Sequence, residues 1–172
     1  MAIRLIKSEP LECTHIPPWS LVVDNREQAP FRFTAIPATA KEGGGLVVPR
    51  LVTGKALPTG DYSIEGMEAA CCVERKSLAD LFGSVGREHQ RFEREFQRMA
   101  EMRFSAVVVE QDEYQVLNNP PGRTKIKPEV VLATVEAWAV RYPTKWFFCA
   151  DRYQAEIRTY RLLDRCFKEF AE

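Results

Sequence analysis

Charged side chains with the spacing of a catalytic site lie in the first half of the chain. Asp61 follows a glycine, and Glu74 and Lys76 stand two residues apart in an apolar stretch. Alternate side chains of a strand point to the same face, so Glu74 and Lys76 are expected on one face and Arg75 on the other. A glycine-containing turn before this stretch predicts a hairpin that brings Asp61 next to Glu74. Two carboxylates beside an ammonium group can bind Mg²⁺ or Mn²⁺ and orient a water molecule next to the ion.

Further charged residues flank this pair of acids in the sequence. An apolar run ends at Asp24 and passes into a polar segment with Arg26 and Glu27, which is typical of the carboxyl end of a buried strand. Asp24 is therefore a candidate third metal ligand or a supporting acid. Ser77 predicts the start of a helix, with Asp80 at the third following position as in a capping box. Taken singly, Asp61 is better explained as an acid of a turn, and Glu74 and Lys76 as a salt bridge on one face of a strand.

The elements that must position these residues alternate between strands and helices after the hairpin. This order predicts an α/β protein with a mixed sheet. We expect an extended arm or added strand over residues 1–20 and a single domain over residues 21–172. The predicted strands cover residues 21–24, 46–54 with Pro49 at an edge or bulge, 62–64, 70–76, 104–110 and 145–149. Helices are predicted from residue 77, over 88–102, from 128 to shortly before 143, and over 151–170.

The predicted helix 88–102 has two different faces. Phe92, Phe96 and Met99 follow the spacing of a core-facing stripe, and a row of arginines lies opposite this stripe. The row could bind phosphate, or it could be a solvated face paired with the interleaved glutamates. The candidate phosphate-binding residues are this row and the basic residues of a Pro-Gly loop: Arg87, Arg91, Arg94, Arg98, Arg123, Lys125 and Lys127.

The composition restricts the possible settings and partners. The 24 Lys and Arg residues balance the 24 Asp and Glu residues, so any polyanionic partner must be bound by a local patch. Five cysteines without zinc-site spacing are typical of a reducing compartment. The sequence has no signal peptide and no apolar run long enough for a membrane span. We therefore expect a cytoplasmic protein that is not secreted.

The motifs resemble those of a known nuclease family. The order Gly60-Asp61, spacer, Glu74-Arg75-Lys76, three residues and Asp80 is similar to the GDXnERKX3D signature of the XPF-type structure-specific endonucleases. The segment 23–27 resembles the upstream VDxRE element of that family. Gly86-Arg87 with Gln90, and the apolar strand that ends at Glu110, also match the family pattern.

The resemblance implies a restriction-endonuclease-like fold of the PD-(D/E)XK type, with a mixed central sheet flanked by helices. It also implies hydrolysis of DNA phosphodiesters with Mg²⁺ or Mn²⁺, on branched, flapped or single-strand-containing DNA in repair or recombination. Asp61 and Glu74 would be metal ligands and Lys76 the catalytic lysine, with Asp24 as a third metal ligand or a supporting acid. The implied site residues are Asp24, Arg26, Glu27, Asp61, Glu74, Arg75, Lys76 and Asp80.

Many members of that family also carry a helix-hairpin-helix module, and we expect this protein to be a version without it. It is more similar to compact stand-alone versions in bacteria and phages, whose DNA would be in the nucleoid. A homodimer or a protein partner is possible. Two alternatives stay open: a non-catalytic DNA-binding scaffold of the same family, and a sequence-specific restriction-type nuclease.

Overall fold

A computed structural model of the protein describes residues 13–171. Strands and helices alternate along this part of the chain, as the sequence predicts. The strands are β1 (Cys13–His15), β2 (Ser20–Asp24), β3 (Ile36–Pro37), β4 (Leu46–Val47), β5 (Arg50–Lys55), β6 (Tyr62–Ile64), β7 (Cys71–Lys76), β8 (Phe104–Val109) and β9 (Lys145–Phe148). The helices are α1 (Leu78–Val85), α2 (His89–Met99), α3 (Glu113–Asn118), α4 (Pro128–Arg141) and α5 (Arg152–Phe170).

The main sheet has six strands in the order β5-β2-β6-β7-β8-β9. β7, β8 and β9 are parallel neighbours, and β6 is antiparallel to both β2 and β7. Five of the six residues of β8 are buried, and β7 is buried over its first four residues. The predicted mixed α/β sheet is thus confirmed, with its central strands covered on both faces as parallel strands require.

Apolar side chains form one core on each face of this sheet. On one face, α5 packs Tyr160 and Leu163 against β6 and β7. On the other face, α1, α2 and α4 enclose a second core that includes Phe92, Phe96 and Trp138. Each buried side chain of this size stabilises the fold by roughly 1.5–3 kcal/mol through its removal from water. The two cores hold the strands that carry the predicted site residues.

Two local predictions differ from the structure. The predicted strand 46–54 is divided into β4 and β5, which belong to different sheets. Pro49 lies between them and has no backbone N–H for a sheet ladder, so the chain changes sheets at this point. α3 was not predicted, because a six-residue helix with only Val116 buried has too few turns to show a helical period.

The predicted arm over residues 1–20 falls partly outside the described residues. Residues 1–12 are not described, β1 pairs with β4 in a second, three-stranded sheet, and β2 begins at Ser20. The boundary between an arm and a domain at residues 20 and 21 stays a prediction. Within residues 13–171, no helix has the length and apolar character needed to cross a membrane.

Candidate active site

A cavity of about 650 Å³ opens where β2 and β7 end and where β6 begins. Parallel strands deliver the side chains at their carboxyl ends to one edge of a sheet, which is where α/β proteins bind ligands. The cavity lining includes all eight site residues named from the sequence: Asp24, Arg26, Glu27, Asp61, Glu74, Arg75, Lys76 and Asp80.

The hairpin of β6 and β7 places Asp61 beside Glu74, as predicted. Tyr62 is paired with Val73, and the Asp61 N–H donates to the Val73 carbonyl at 3.0 Å. Gly60 precedes this contact with φ of 74°, a left-handed conformation that side chains with a Cβ rarely adopt. Asp61 Oδ2 also accepts the Arg75 N–H at 2.8 Å, so the carboxylate has a fixed orientation at the strand end.

Lys76 lies on the same face of β7 as Glu74. Its Nζ is 2.5 Å from Glu74 Oε1 and 4.1 Å from the centre of the Phe92 ring on α2. Burial acts to lower the pKa of Lys76, but the charge and hydrogen bond of Glu74 outweigh burial and raise it. Lys76 is therefore a cation held in place by an acid and an aromatic face.

The charge balance of the cavity fits a divalent cation. Burial and the charge of Glu74 raise the pKa of Asp61 well above its usual value. Burial also raises the pKa of Glu74 to about 7; Lys76 opposes this rise and the charge of Glu95 adds to it. A cation would relieve this crowding of negative charge, and carboxylate oxygens are the donors that Mg²⁺ and Mn²⁺ prefer.

The number of acids in reach also fits a Mg²⁺ site with few protein ligands. No group of three or more acidic, histidine or cysteine side chains in residues 13–171 is arranged to hold an ion by itself. Mg²⁺ usually binds one or two protein carboxylates, keeps several waters and takes further oxygens from substrate phosphates. Asp61 and Glu74 can supply such a pair.

Asp24 is buried and already fully hydrogen-bonded. Arg26 donates to both of its oxygens, from its backbone N–H (2.7 Å), Nε (2.8 Å) and Nη2 (2.7 Å), and the Leu57 N–H donates to Oδ2 at 2.6 Å. Burial acts to raise the pKa of Asp24, but the hydrogen bonds from Arg26 and Leu57 outweigh burial and lower it. These contacts favour a positioning role for Asp24, whose role as a third ligand stays a prediction.

Arg75 points to the opposite face of β7 from the catalytic candidates. Its Nε donates to Glu110 at 2.6 Å and its Nη1 donates to Glu27 at 3.3 Å. Arg152 of α5 also pairs with Glu110, so this ion-pair network joins the loop after β2 to β7, β8 and α5. Arg75 is therefore paired with Glu27 and Glu110 and not with Asp80.

Asp80 instead belongs to the start of α1. The Ser77 hydroxyl donates to Asp80 Oδ2 at 2.6 Å, and the Asp80 N–H donates to Ser77 Oγ at 3.2 Å. The predicted N-cap at Ser77 is confirmed. Asp80 stabilises the turn that follows Lys76. Its negative charge also interacts favourably with the positive end of the helix dipole at the amino end of α1.

The arginine row forms part of one cavity wall. Arg87, Arg91 and Arg98 line the cavity, whereas Arg94 is not among its lining residues. At about 100° per residue, Arg94 is the member of the row farthest from the core stripe of α2, so it points away from the cavity. Arg91 pairs with Glu88 at 3.1 Å, but its side chain is 73% exposed, so this pair is easily exchanged for another anion.

The basic loop residues Arg123, Lys125 and Lys127 are exposed and lie outside the cavity. Their loop is nevertheless packed close to the arginine wall. Ile126 occupies the space beside Gly86, where a Cβ on this glycine would clash with the Ile126 Cδ1.

Sequence reasoning missed Glu95 and Arg152. In the sequence, Glu95 is one of the glutamates interleaved with the arginines of α2. Around the helix axis, Glu95 lies about 60° from Phe92, between the core stripe and the arginine row. This position could have identified Glu95 as a residue that faces the cavity. Arg152 gave no such signal, because the contact between α5 and Glu110 depends on tertiary packing.

The sheet, its flanking helices and the acidic edge define a restriction-endonuclease-like fold. A family model described as the ERCC4 domain matches residues 23–157, and the chain belongs to that family. The resemblance to XPF-type nucleases is thereby confirmed.

Two solved structures share this fold with the chain. One, XPF from Aeropyrum pernix, has a TM-score of 0.61 and 20% identity, and the match covers 87% of this chain and 67% of that chain. The other, XPF from Aeropyrum pernix in complex with DNA, has a TM-score of 0.59 and 20% identity and covers 90% and 68% of the two chains. No curated protein gives a significant sequence match.

Proposed function

We propose that this protein is a metal-dependent DNA endonuclease. The observation that carries the proposal is the convergence in one cavity of Asp61, Glu74 and Lys76 with three arginines. The ERCC4 domain family includes nucleases, and one solved structure of the same fold is in complex with DNA. Both facts support a role of this kind.

Asp61 and Glu74 would hold Mg²⁺ or Mn²⁺. When bound, the cation neutralises charge on the phosphoryl oxygens and lowers the pKa of a bound water. Lys76 would donate a hydrogen bond to the attacking water and hold it beside the scissile phosphate. Asp24 and Arg26 fix the strand end that carries Asp61, whose carbonyl accepts the Asp24 N–H at 2.8 Å.

Arg87, Arg91 and Arg98 would bind the phosphates that flank the scissile bond. Contacts of this kind position a nucleic acid without reading its sequence. We therefore propose branched, flapped or single-strand-containing DNA as the substrate class, and a role in repair or recombination. We also propose that it acts in the cytoplasm, and on DNA of the nucleoid if the protein is bacterial or from a phage.

Cleavage of a substrate panel tests this proposal. Labelled duplex, flap, fork and four-way-junction DNA are incubated with the protein and Mg²⁺, Mn²⁺ or EDTA. Variants Asp61→Ala and Lys76→Ala are assayed in parallel. We expect metal-dependent cleavage of at least one branched substrate, faster than that of the duplex, and we expect both variants to lose it.

The other outcomes separate the alternatives. Binding of every substrate without cleavage under any metal would favour a non-catalytic scaffold. Cleavage restricted to one duplex sequence would favour a restriction-type nuclease. Cleavage that persists in both variants would place the activity outside this cavity. A solution mass measurement on the same preparation would show whether two chains pair.

A further inference from the structure

Glu95 of α2 lies in the same cavity as the two proposed metal ligands. The Gly60 N–H and the Thr59 hydroxyl each lie 3.5 Å from its Oε1. These two residues form the turn that immediately precedes Asp61. The α2 helix thus brings a third carboxylate against the strand end from the opposite wall.

Glu95 differs from the other glutamates of its helix in its partners. Glu93 pairs with Arg141 at 2.7 Å, and Glu88 at the helix start pairs with Arg91 at 3.1 Å. In the part of the chain that the structure describes, Glu95 forms no ion pair with a lysine or arginine. It lies close to Glu74, and the two cations within its reach are already paired, Lys76 with Glu74 at 2.5 Å and Arg26 with Asp24.

The contacts to the turn do not account for a charge at this position. A distance of 3.5 Å is at the long limit for a hydrogen bond, so neither contact is strong. A glutamine could accept the same two bonds without adding a third negative charge beside Asp61 and Glu74. Charge crowding of this kind destabilises a protein unless a cation is bound there.

We propose that Glu95 belongs to the cation-binding set of this cavity, as an acceptor for water bound to the ion rather than as a direct ligand. This inference rests on the proposed metal site at Asp61 and Glu74. An indirect role agrees with the spacing of the side chains, because residues 13–171 contain no three acids placed to ligate one ion together. It also agrees with the preference of Mg²⁺ for keeping several of its waters.

Direct titration with Mn²⁺, without DNA, tests the inference. Electron paramagnetic resonance of the free ion gives the dissociation constant for the wild type, Glu95→Gln, Asp61→Asn and the control Glu93→Gln. We expect Glu95→Gln to weaken Mn²⁺ binding about tenfold or more, the size of effect seen for supporting groups around metal ligands. Glu93→Gln removes a charge from the same helix outside the cavity and should stay within about twofold of the wild type.

Stability without metal provides the second readout. We expect Glu95→Gln to unfold at the same urea concentration as the wild type or at a higher one, because it removes repulsion. A lower midpoint together with Mn²⁺ affinity like that of the wild type would show a structural role and overturn the inference.

The outcomes separate this inference from the proposed function. If Asp61→Asn abolishes Mn²⁺ binding while Glu95→Gln binds like the wild type, the metal site stands and the role of Glu95 is refuted. If the wild type binds no Mn²⁺, the proposed metal site fails and the inference fails with it. Equal losses of Mn²⁺ affinity in Glu95→Gln and Glu93→Gln would show that only the net charge of the protein matters, and this result would also refute the inference.

Discussion

Lys76 shows how single side chains in this protein are held in a functional orientation. An ammonium group on a four-carbon chain has many rotamers, and fixing it costs conformational entropy of up to about 2 kcal/mol. Glu74 and the Phe92 ring hold Nζ from two sides. The Glu-X-Lys spacing of the strand predicted the first of these contacts, but only packing of α2 on the sheet supplies the second.

Glu42, far from the cavity, gives a prediction about stability and pH. It accepts hydrogen bonds from the Thr39 N–H at 2.7 Å and from Arg161 of α5 at 2.8 Å. Burial acts to raise the pKa of Glu42, but these bonds outweigh it and lower the pKa from 4.5 to about 2. We expect Glu42→Gln to reduce the free energy of unfolding by about 1–2 kcal/mol at pH 7.

The pH dependence of that loss has a defined sign. A carboxyl whose pKa is lower in the folded state stabilises the protein above its unfolded pKa, here 4.5. The difference in the free energy of unfolding between the wild type and Glu42→Gln should therefore shrink as the pH falls from about 5 towards about 2. Urea unfolding at a series of pH values measures it, and a difference that grows on acidification would contradict the assignment.

The sequence predicted the residues of the site better than their individual partners. The residue types and their spacing in the sequence predicted that Asp61, Glu74 and Lys76 lie together, because a hairpin and the two-residue period of a strand fix such short-range geometry. The partners of Arg75 could not be predicted, since Glu110 and Glu27 lie 35 and 48 positions away in sequence. Glu95 was overlooked because its importance depends on which wall of the cavity α2 forms.

At the scale of elements, the turn into β6 has little room for change at Gly60. Gly60 has φ of 74°, and a Cβ on it would lie 3.0 Å from the Cys72 Cβ. We expect Gly60→Ala to destabilise the protein by about 1–3 kcal/mol through backbone strain and this contact, and to displace Asp61. Urea unfolding followed by circular dichroism measures the loss.

Gly66 in the next turn offers a matched control for that substitution. It has φ of 84°, but a Cβ there would meet no atom within 4 Å. Gly66→Ala should therefore cost only the strain of the left-handed conformation, about 1 kcal/mol. Equal losses for the two variants would show that the close approach to Cys72 does not matter.

The division of one predicted strand into β4 and β5 also belongs to this scale. The run on either side of Pro49 has continuous strand propensity, and propensity alone does not reveal which sheet a strand joins. β5 pairs with β2 in parallel and forms an edge of the main sheet, so five of its six residues are exposed. Only the tertiary arrangement shows that Val48 and Pro49 connect two sheets.

At the scale of the whole molecule, a net charge of zero requires that DNA be bound by a local patch. We expect the double variant Arg87→Ala/Arg98→Ala to have a shallower slope of log Kobs against log salt concentration. The magnitude of the slope should fall by about 2, since each lost phosphate contact removes close to one unit. Arg94→Ala is the matched comparison, because Arg94 lies on the same helix but not on the cavity wall.

Fluorescence anisotropy with labelled fork DNA at several salt concentrations gives these slopes. A smaller change for Arg94→Ala than for single Arg87→Ala or Arg98→Ala is the expected order. An unchanged slope in the double variant would show that the arginine row does not contact DNA phosphates and is an ordinary solvated helix face.

The central claim is that the cavity around Asp61, Glu74 and Lys76 is where DNA is cut. Its most direct test is the single-turnover rate of cleavage by Lys76→Met, compared with Lys55→Met on the edge strand β5. Lys55 pairs with Glu68 away from the cavity, so its variant controls for the loss of a paired lysine. We predict a loss of about 10²-fold or more for Lys76→Met with DNA binding retained, and a rate close to that of the wild type for Lys55→Met. Cleavage by Lys76→Met within about threefold of the wild-type rate would contradict the claim.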